Sequence, residues 1–232
     1  MDEYNQIVTV IAMSMGVAWA SGINLYAAIL MLGIMGATGN ADLPPGLQVL
    51  SDPMVIGAAG FMYCVEFFAD KIPGVDTGWD AMHTFVRVPA GAILAAGAVG
   101  DVSSAAGIAA GILGGGMALG THSFKSGSRV LINTSPEPVT NWTASITEDL
   151  AVIAGLWTAL NHPGLFIVFL IVFVILLIWL LPKLWRGIKT VFAAIGRFFS
   201  GNSTPDRSVS ESFTESGDIK ESRLKMEYKK KE

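Results

Sequence analysis

The chain has 232 residues, of which 52% are hydrophobic and 15% charged, and its mean hydropathy is +0.53. Several solidly apolar runs are long enough to cross a bilayer, which excludes a soluble domain, and they lack the alternation of β-barrel strands. The net charge is −4, and the basic residues flank apolar runs or lie in the C-terminal tail, which excludes a nucleic-acid partner. The sequence therefore predicts an all-α, polytopic membrane helical bundle.

Six membrane-spanning helices are predicted, followed by an amphipathic helix and a tail. Basic residues alternate with apolar ones over residues 183–199, which is typical of a cytoplasmic amphipathic helix at the membrane interface. Residues 200–232 are rich in Ser, Glu and Lys, so they are predicted to be disordered. The six predicted spans run from about Gln6 to Gly36, Pro53 to Lys71, Trp79 to Gly100, Val102 to Asn133, Trp142 to Leu160 and Leu165 to Leu181.

Two stretches of small residues lie inside the predicted helices. Residues 21–24, Ser-Gly-Ile-Asn, form either a packing face or a break that offers backbone groups and Asn24 to a ligand. Gly107, Gly111 and Gly115 lie four residues apart on one face of the fourth helix. That spacing favours close contact with another helix, within the chain or in a homodimer.

The membrane part divides into two halves of three helices each, residues 1–100 and 101–182. Residues 21–24 resemble residues 126–129, and a proline-containing loop follows each stretch. Because each half has three helices, the two halves would enter the membrane from opposite sides. Inverted repeats of this kind are typical of secondary transporters, with the site at the repeat interface. A 3+3 inverted repeat is therefore a hypothesis for this chain.

The positions of Lys and Arg predict the orientation of the bundle. The loops after the first, third and fifth predicted helices contain neither residue. Lys71, Arg87, Lys125, Arg129 and the basic run at residues 183–197 all fall on the other side. Because Lys and Arg are enriched on the cytoplasmic side of membrane proteins, both termini are predicted to be cytoplasmic.

Ionisable residues recur at helical spacing in four of the predicted helices. Residues at i, i+3, i+4 and i+7 share one face of a helix. The second, third and fourth helices each present such a stripe, and two acids start the fifth, where the helix dipole favours negative charge. The residues concerned are Glu66 and Asp70; Asp80, His83 and Arg87; His122, Lys125 and Arg129; and Glu148 and Asp149.

These stripes predict a polar site that the two halves share, because charges in a membrane persist mainly when they are paired or line a functional cavity. Glu66 would exchange protons, with His83 in the relay, and the arginines would clamp an anionic group bidentately. The alternative is a mutually neutralising network of five acids and four bases, including Lys71, that only fastens the helices. The predicted binding residues are Asn24, Glu66, Asp70, Arg87, His122, Lys125, Arg129, Glu148 and Asp149.

Patterns for metal binding and for hydrolysis are lacking in the sequence. Neither Glu-x-x-His nor His-x-x-x-His spacing occurs, and there is no Gly-x-Ser-x-Gly elbow. We therefore predict no catalytic residue, no metal ligand and no cofactor, and we expect that the protein is not an enzyme.

Five sequence segments together resemble a family of uncharacterised bacterial membrane proteins, a domain of unknown function. They are VEFFADKIPGVDTGWD, FVRVPAG, HSFKSGSR, NTSPEP and SITED. The resemblance covers about residues 10–165 and leaves out the sixth helix and the tail. It implies a multi-spanning protein of the bacterial inner membrane, and it brings no substrate or activity.

Three functions agree with these features. The first is a secondary-transport-type protein that moves an anionic small solute or a lipid headgroup, with proton coupling. The second is a non-transport scaffold or lipid-binding protein, and the third is an intramembrane enzyme acting on lipid. A transporter should have a water-accessible cavity that reaches Glu66 and Arg129, whereas a scaffold should have these charges fully paired. We expect the first, with membrane lipid and a small anionic solute as partners.

Overall fold

The computed structural model describes residues 3–72, 74–100, 102–134 and 138–199, and within these ranges it contains helices and no strand. The tail predicted at residues 200–232 lies outside the described residues. A 3-10 helix, Pro45–Ser51, lies in the stretch that the sequence predicts as a loop. The α-helices are α1 (Glu3–Ala37), α2 (Pro53–Ala69), α3 (Val75–Val99), α4 (Ser104–Ile132), α5 (Pro138–Asn161) and α6 (Pro163–Phe199).

Side-chain caps explain where two of the helices begin. Pro53 is the first residue of α2, where its missing N–H is no loss, and the Asp52 carboxylate accepts a hydrogen bond from Met54 N at 2.7 Å. The Ser103 hydroxyl caps α4 in the same way by accepting from Ala106 N at 3.1 Å. Both helices begin within two residues of the predicted positions, Pro53 and Val102.

The third helix begins one turn earlier than predicted, at Val75 rather than Trp79. The cause is Asp76, whose carboxylate accepts hydrogen bonds from Gly74 N at 2.8 Å and from Thr77 N at 2.6 Å. These bonds satisfy backbone donors that a helix start leaves without partners inside the helix. Asp76 thus fixes the first turn of α3.

The fifth helix also begins earlier than predicted, at Pro138 rather than Trp142. Proline is well suited to the first turn of a helix because its fixed φ matches the helix and its missing N–H needs no partner there. Glu148 and Asp149 consequently lie in the middle of α5. The prediction that they start the helix and interact with its dipole is wrong.

The sixth helix does not end at Leu181. It continues through Pro182 to Phe199 as one α-helix, so residues 183–199 extend the sixth helix rather than forming a separate one. Pro182 removes one backbone hydrogen bond, and the good helix formers on both sides keep the helix intact. Arg186 reaches back and donates from Nε to Pro182 O at 3.3 Å.

The centre of the bundle is α1, around which α3, α4 and α5 pack. Its small residues let neighbouring backbones approach closely: a β-carbon added at Gly22 would lie 2.5 Å from the carbonyl oxygen of Ala118 in α4. In contrast, most apolar side chains of α6 are exposed, as expected for a lipid-facing helix. The buried apolar core consists mainly of Val17, Ala20, Leu25, Ala28 and Leu32 of α1 with Leu47, Leu50, Leu94, Val152 and Leu156.

The glycine face of α4 packs within the chain. A β-carbon added at Gly111 would lie 3.5 Å from Ala92 O, and one at Gly115 would lie 3.4 Å from Ala92 Cβ, both in α3. At Gly107 no atom lies within 4 Å of such a carbon. Helix α3 therefore covers two of the three glycines, and a homodimer through the open Gly107 end stays a prediction.

In the described ranges, four helices are long and apolar enough to cross a membrane: α1, α3, α4 and the stretch Pro163–Ala193 of α6. The 3-10 helix and α2 meet these criteria as a pair, bent by 70° at their junction, which makes up to five. Helix α5 is not among them. The structure thus supports a multi-pass helical bundle with four or five such elements.

Candidate functional site

A break in the central helix organises the polar residues of the bundle. Asn24 has φ −143° and ψ 97°, which are extended rather than helical values, so α1 consists of two helical segments joined at this residue. The Asn24 side chain caps the second segment, because its Oδ1 accepts a hydrogen bond from Ala27 N at 3.0 Å. Residues 21–24 therefore form both a break, at Asn24, and a small-residue packing face, because Gly22 lies against Ala118 and Thr121 of α4.

The first segment of α1 ends with backbone carbonyls that two cations satisfy. Arg87 Nη1 donates to Gly22 O at 3.5 Å, and Lys125 Nζ donates to Ile23 O at 3.1 Å. Positive charge is favoured at the carboxyl end of a helix, where the last carbonyls have no partner inside it. The break thus offers its backbone groups to Arg87 and Lys125 of the same chain.

Arg87 joins two carboxylates in the interior. Its Nη2 lies 2.5 Å from Glu66 Oε1, and its Nη1 lies 3.2 Å from Asp80 Oδ1. All three side chains are fully buried. A planar guanidinium with several donors is suited to hold two acids in fixed positions. Glu66 of α2 is thereby connected to α3.

Lys125 and Arg129 extend this network along α4. Lys125 Nζ lies 2.8 Å from Asp70 Oδ2 and 3.3 Å from Glu66 Oε1. Arg129 Nη2 lies 2.6 Å from Glu148 Oε2 of α5, and Nη1 donates to Asp70 O at 2.9 Å and to the Asn141 side chain. Acids from α2, α3 and α5 therefore meet cations from α3 and α4, and both halves of the chain contribute.

Seven of these residues form what we name the buried ion network, which contains four acids and three bases. Four carboxylates lie within ion-pair distance of three cations. Three carboxylate oxygens are buried without a hydrogen-bond partner among the described residues: Glu66 Oε2, Asp70 Oδ1 and Asp80 Oδ2. Unpaired charge in a low-dielectric interior is costly. The members of the network are Glu66, Asp70, Asp80, Arg87, Lys125, Arg129 and Glu148.

His122 is attached to the network as a neutral ring. Arg87 Nη1 lies 2.9 Å from His122 Nδ1, and a guanidinium only donates, so Nδ1 is the unprotonated nitrogen. The proton is then on Nε2, which lies 3.0 Å from Asp80 O and 2.8 Å from Thr84 Oγ1. His122 thus accepts from a cation on one edge and donates to α3 on the other.

Asp149 forms a second, smaller group next to the break. Its two carboxylate oxygens accept hydrogen bonds from Asn24 Nδ2 at 2.8 Å and from the Tyr63 hydroxyl at 3.1 Å. Both donors are neutral. Asp149 and Asn24 are therefore brought together as predicted site residues, in contact with each other rather than through an ion pair.

His83 is predicted as the relay partner of Glu66, and its hydrogen bonds in the structure are to other residues. Its Nδ1 donates to Trp79 O at 2.9 Å, and its Nε2 accepts from the Tyr26 hydroxyl at 3.2 Å. The Trp79 ring stacks on it at 4.2 Å between centroids. The hydrogen bonds of His83 described here thus lead to α1 and α3 and not to Glu66.

Lys71 is not a member of the ion network, although the sequence groups it with the bases. Its Nζ lies 2.9 Å from the centre of the Phe67 ring and donates to Phe67 O at 3.1 Å. Burial lowers the pKa of this amino group, and the charges of Asp149 and Asp70 oppose that shift. Lys71 is held by an aromatic ring and a carbonyl.

Several polar residues that contact the site were not predicted. Tyr63 precedes Glu66 and Asp70 at i, i+3 and i+7, and Asn141 precedes Glu148 by seven residues. This is the same spacing that identified the charged stripes, but neutral side chains give a weaker signal. Thr84 and Asn133 lie four residues after Asp80 and Arg129, so they too share the faces of the charged stripes. The residues of this group are all at least partly buried: Tyr63, Thr84, Asn133, Asn141 and Ser145.

Two surface clefts lie near the bundle core. One, of about 670 Å³, is bounded by α1, α3 and α4, and the other, of about 610 Å³, by α3, α4 and α6. Neither lining includes Glu66, Arg87, Lys125 or Arg129. Neither of these two clefts is therefore the cavity that a transporter should open to Glu66 and Arg129.

Comparison with known proteins identifies the chain only at the level of a family. A family model described as a domain of unknown function (DUF4126) matches residues 11–183. This range extends beyond the predicted resemblance and includes the sixth helix up to Lys183. No curated protein and no solved structure matches the chain.

Proposed function

The chain belongs to the family described as a domain of unknown function (DUF4126), and from its site we propose a secondary-transport-type membrane protein. It would move a small anionic solute or a lipid headgroup and couple this movement to protons. The proposal makes it a transporter rather than an enzyme. Its partners are membrane lipid and the solute.

The charge balance of the buried ion network carries the proposal. Four acids face three bases, and three carboxylate oxygens are buried without a partner among the described residues. One bound proton would neutralise the excess negative charge and give one of these oxygens a hydrogen to donate.

Proton binding also suggests how a solute would be coupled. In the structure, Arg87, Lys125 and Arg129 each form an ion pair with at least one carboxylate. Protonation of Glu66 or Asp70 would weaken those pairs and leave a cation able to hold an anionic group. Proton and anion would then bind together, since each offsets the charge of the other.

The location of the network supports a site between the two halves. Glu66, Asp70, Asp80 and Arg87 belong to residues 1–100, and Lys125, Arg129 and Glu148 belong to residues 101–182. In inverted-repeat transporters, sites lie at the repeat interface beside broken helices, and α1 is broken at Asn24. We therefore retain six spans and a 3+3 inverted repeat as part of the proposal.

The orientation rests on fewer cations than the sequence indicates. Arg87, Lys125 and Arg129 are buried inside α3 and α4, so they do not count as loop charges. Lys183, Arg186 and Lys189 near the end of the apolar stretch of α6 still favour the cytoplasmic side. We propose a bacterial inner-membrane location with both termini cytoplasmic.

A second candidate is a non-transport membrane scaffold or lipid-binding protein. It is favoured by the burial of the ion network: Arg87 and Arg129 are fully buried, and each lies within hydrogen-bond distance of a carboxylate. Such a network would hold five helical elements in one arrangement. The two candidates differ in whether protons enter the network during function.

Proton flux through reconstituted protein separates the two candidates. The wild type, Glu66→Gln and the control Asp42→Asn, an exposed acid in the loop after α1, would be placed in proteoliposomes that contain a pH-sensitive dye. An outer buffer more acidic than the lumen drives proton entry, with and without inorganic phosphate in the outer buffer as the probe anion. We expect proton entry for the wild type and the control, stimulation by phosphate, and loss of entry for Glu66→Gln.

The outcomes are distinct. No proton entry for any of the three proteins supports the scaffold. Proton entry through Glu66→Gln at the wild-type rate removes Glu66 from the proposal. Misfolding of Glu66→Gln, detected by size-exclusion chromatography and circular dichroism, indicates that the pair with Arg87 fastens the helices.

A further inference from the structure

Asp149 of α5 is a buried acid that forms no ion pair with the other described residues. It is 7% exposed, and the ion pairs described above do not include it. Its neighbour in the sequence, Glu148, pairs with Arg129 at 2.6 Å. An ionised carboxylate without a paired cation is costly in a low-dielectric interior, and a bound proton removes that cost.

The charges nearest to Asp149 interact with it through space. Lys71 Nζ comes as close as Ser145 Oγ, at 3.5 Å, one turn of α5 before Asp149. Helix α1 contributes the neutral amide of Asn24. The titratable and charged groups that face Asp149 are Tyr63 of α2, Asp70 and Lys71 just after α2, and Lys125 of α4.

The hydrogen-bond partners of Asp149 suit a carboxylic acid as well as a carboxylate. Asn24 Nδ2 donates to Oδ1 at 2.8 Å, and the amide is held in this orientation because its own Oδ1 accepts from Ala27 N. The Tyr63 hydroxyl lies 3.1 Å from Oδ2. Because a hydroxyl can donate or accept, a proton on Oδ2 can be donated to Tyr63 while Asn24 still donates to Oδ1. Asp149 therefore keeps both partners when it binds a proton.

Glu66 and Asp70 of the buried ion network differ in this respect. Their paired oxygens face the guanidinium of Arg87 and the ammonium of Lys125, which only donate. Their other oxygens, Glu66 Oε2 and Asp70 Oδ1, have no hydrogen-bond partner among the described residues. Asp149 thus offers a bound proton an acceptor that these two acids lack.

We propose that Asp149 is a second proton-binding site, outside the buried ion network, in which Tyr63 accepts the bound proton and Asn24 is a positioning residue. Asn24 is also the residue at which α1 breaks, so the site connects proton binding to the break. The part of this site in transport rests on the proposed function. Proton binding itself can be measured without transport.

Infrared difference spectroscopy tests proton binding at Asp149. The wild type, Asp149→Asn and the control Asp42→Asn, an exposed acid, would be reconstituted in lipid and brought from mildly alkaline to mildly acidic pH. We expect the carbonyl band of a buried carboxylic acid in the wild type and the control, and its loss in Asp149→Asn. No such band in the wild type, or the same bands in Asp149→Asn, would overturn the site.

A second variant covers the case in which Asp149→Asn does not fold. Asp149→Glu keeps a carboxyl group at this position but not an aspartate. In protein labelled with ¹³C in the carboxyl groups of aspartate, the label should shift the band of the wild type and leave the corresponding band of Asp149→Glu in place. A band that shifts equally in both proteins would assign the proton to another aspartate.

The role of Tyr63 is tested with Tyr63→Phe. The control is Tyr26→Phe, which removes a hydroxyl that is bonded to His83 instead. Donation of a hydrogen bond by a carboxylic acid weakens its carbonyl bond, so loss of the acceptor should move the band to higher frequency in Tyr63→Phe and not in the control. An unchanged frequency in Tyr63→Phe would overturn the role of Tyr63.

Proton entry into proteoliposomes tests whether this site takes part in transport. With the acidic outer buffer described above, Asp149→Asn should lose the proton entry that the wild type and Asp42→Asn show. Entry at the wild-type rate in Asp149→Asn would overturn the coupling. If the infrared band belongs to Asp149 and none of the proteins, wild type included, shows proton entry, the proton-binding site stands and the proposed function fails.

Discussion

At the residue scale, Arg87 is the side chain on which the network depends most. Its two terminal nitrogens contact Glu66, Asp80, His122 and the carbonyl of Gly22. A lysine could not replace these contacts, because an ammonium is a single point of charge whereas the guanidinium is a planar fork. Arg87 therefore ties the break in α1 to α2, α3 and α4.

Removal of this guanidinium should be strongly destabilising. Arg87→Met keeps much of the apolar stem but leaves Glu66 and Asp80 buried without their main partner, which typically costs about 3–5 kcal/mol. The control, Arg186→Met, changes an exposed arginine of α6 and should stay within about 0.5 kcal/mol. The free energy of unfolding in detergent micelles, from denaturant titration, measures both. If the free energy of unfolding falls by the same small amount in both variants, the ion pairs of Arg87 contribute little to stability.

The sequence predicted which residues would face inward but not how they would pair. The i, i+3, i+7 stripes on α3 and α4 identified Arg87, Lys125 and Arg129, all of which are buried. Pairing depends on helix rotation and on the position of the break, and neither is encoded in spacing. Lys71 illustrates this: it directly follows Asp70 in the sequence, but its Nζ lies over the Phe67 ring, four residues earlier, and not on a carboxylate of the network.

At the element scale, the break in α1 is stabilised from both sides. Asn24 caps the second segment through Ala27 N, and Arg87 and Lys125 satisfy carbonyls of the first. The close approach of α4 at this point requires a residue without a side chain. A β-carbon added at Gly22 would meet the side chain of Thr121 and the backbone of Ala118.

A pair of glycine substitutions tests this close approach. Gly22→Ala should push α4 away from the break and lower the free energy of unfolding by about 1–3 kcal/mol. Gly116→Ala, on an exposed face of α4 with no atom within 4 Å of the added carbon, should raise it by up to about 1 kcal/mol through helix propensity. Denaturant titration in micelles gives the free energy of unfolding of each variant. An unchanged free energy of unfolding for Gly22→Ala would contradict the tight packing of α1 on α4.

The helices themselves were largely predictable, because long apolar runs between Pro- and Gly-containing loops leave few alternatives. The errors lie where a local rule was applied too strictly. Pro182 is usually a helix breaker, but strong helix formers surround it, and α6 continues. The 3-10 helix Pro45–Ser51 was missed because two prolines and a glycine are typical of a loop.

At the scale of the whole molecule, the proposed six spans exceed by at least one the four or five helical elements that pass on length and composition in the described ranges. Helix α5 is not among the helices that are apolar enough to cross a membrane. Its polar residues Asn141, Ser145 and Asp149 are buried in the bundle, and Glu148 contacts Arg129, so they do not face lipid. A polar stripe that is satisfied inside a bundle is compatible with a membrane position. We therefore count α5 as a span in the proposal.

The remaining question is whether α2 crosses the membrane or returns to the side it entered from. The 3-10 helix and α2 meet at 70°, an angle that suits a broken span or a re-entrant pair. Helix α2 alone has 17 residues, which at 1.5 Å per residue is about 25 Å, near the thickness of the hydrocarbon core. That length is compatible with a crossing, as the six spans and same-side termini of our proposal require.

Labelling from one side of the membrane decides between the two arrangements. In a Cys64→Ser background, Asn40→Cys lies between α1 and the 3-10 helix, and Gly78→Cys lies at the start of α3; both positions are exposed. If α2 crosses, an impermeant maleimide added to intact cells should label Asn40→Cys and leave Gly78→Cys unlabelled until the membrane is opened. If the pair is re-entrant, both cysteines react from the same side, and five spans would place the termini on opposite sides. Labelling of Gly78→Cys instead of Asn40→Cys would reverse the orientation that Lys183, Arg186 and Lys189 favour while keeping six spans.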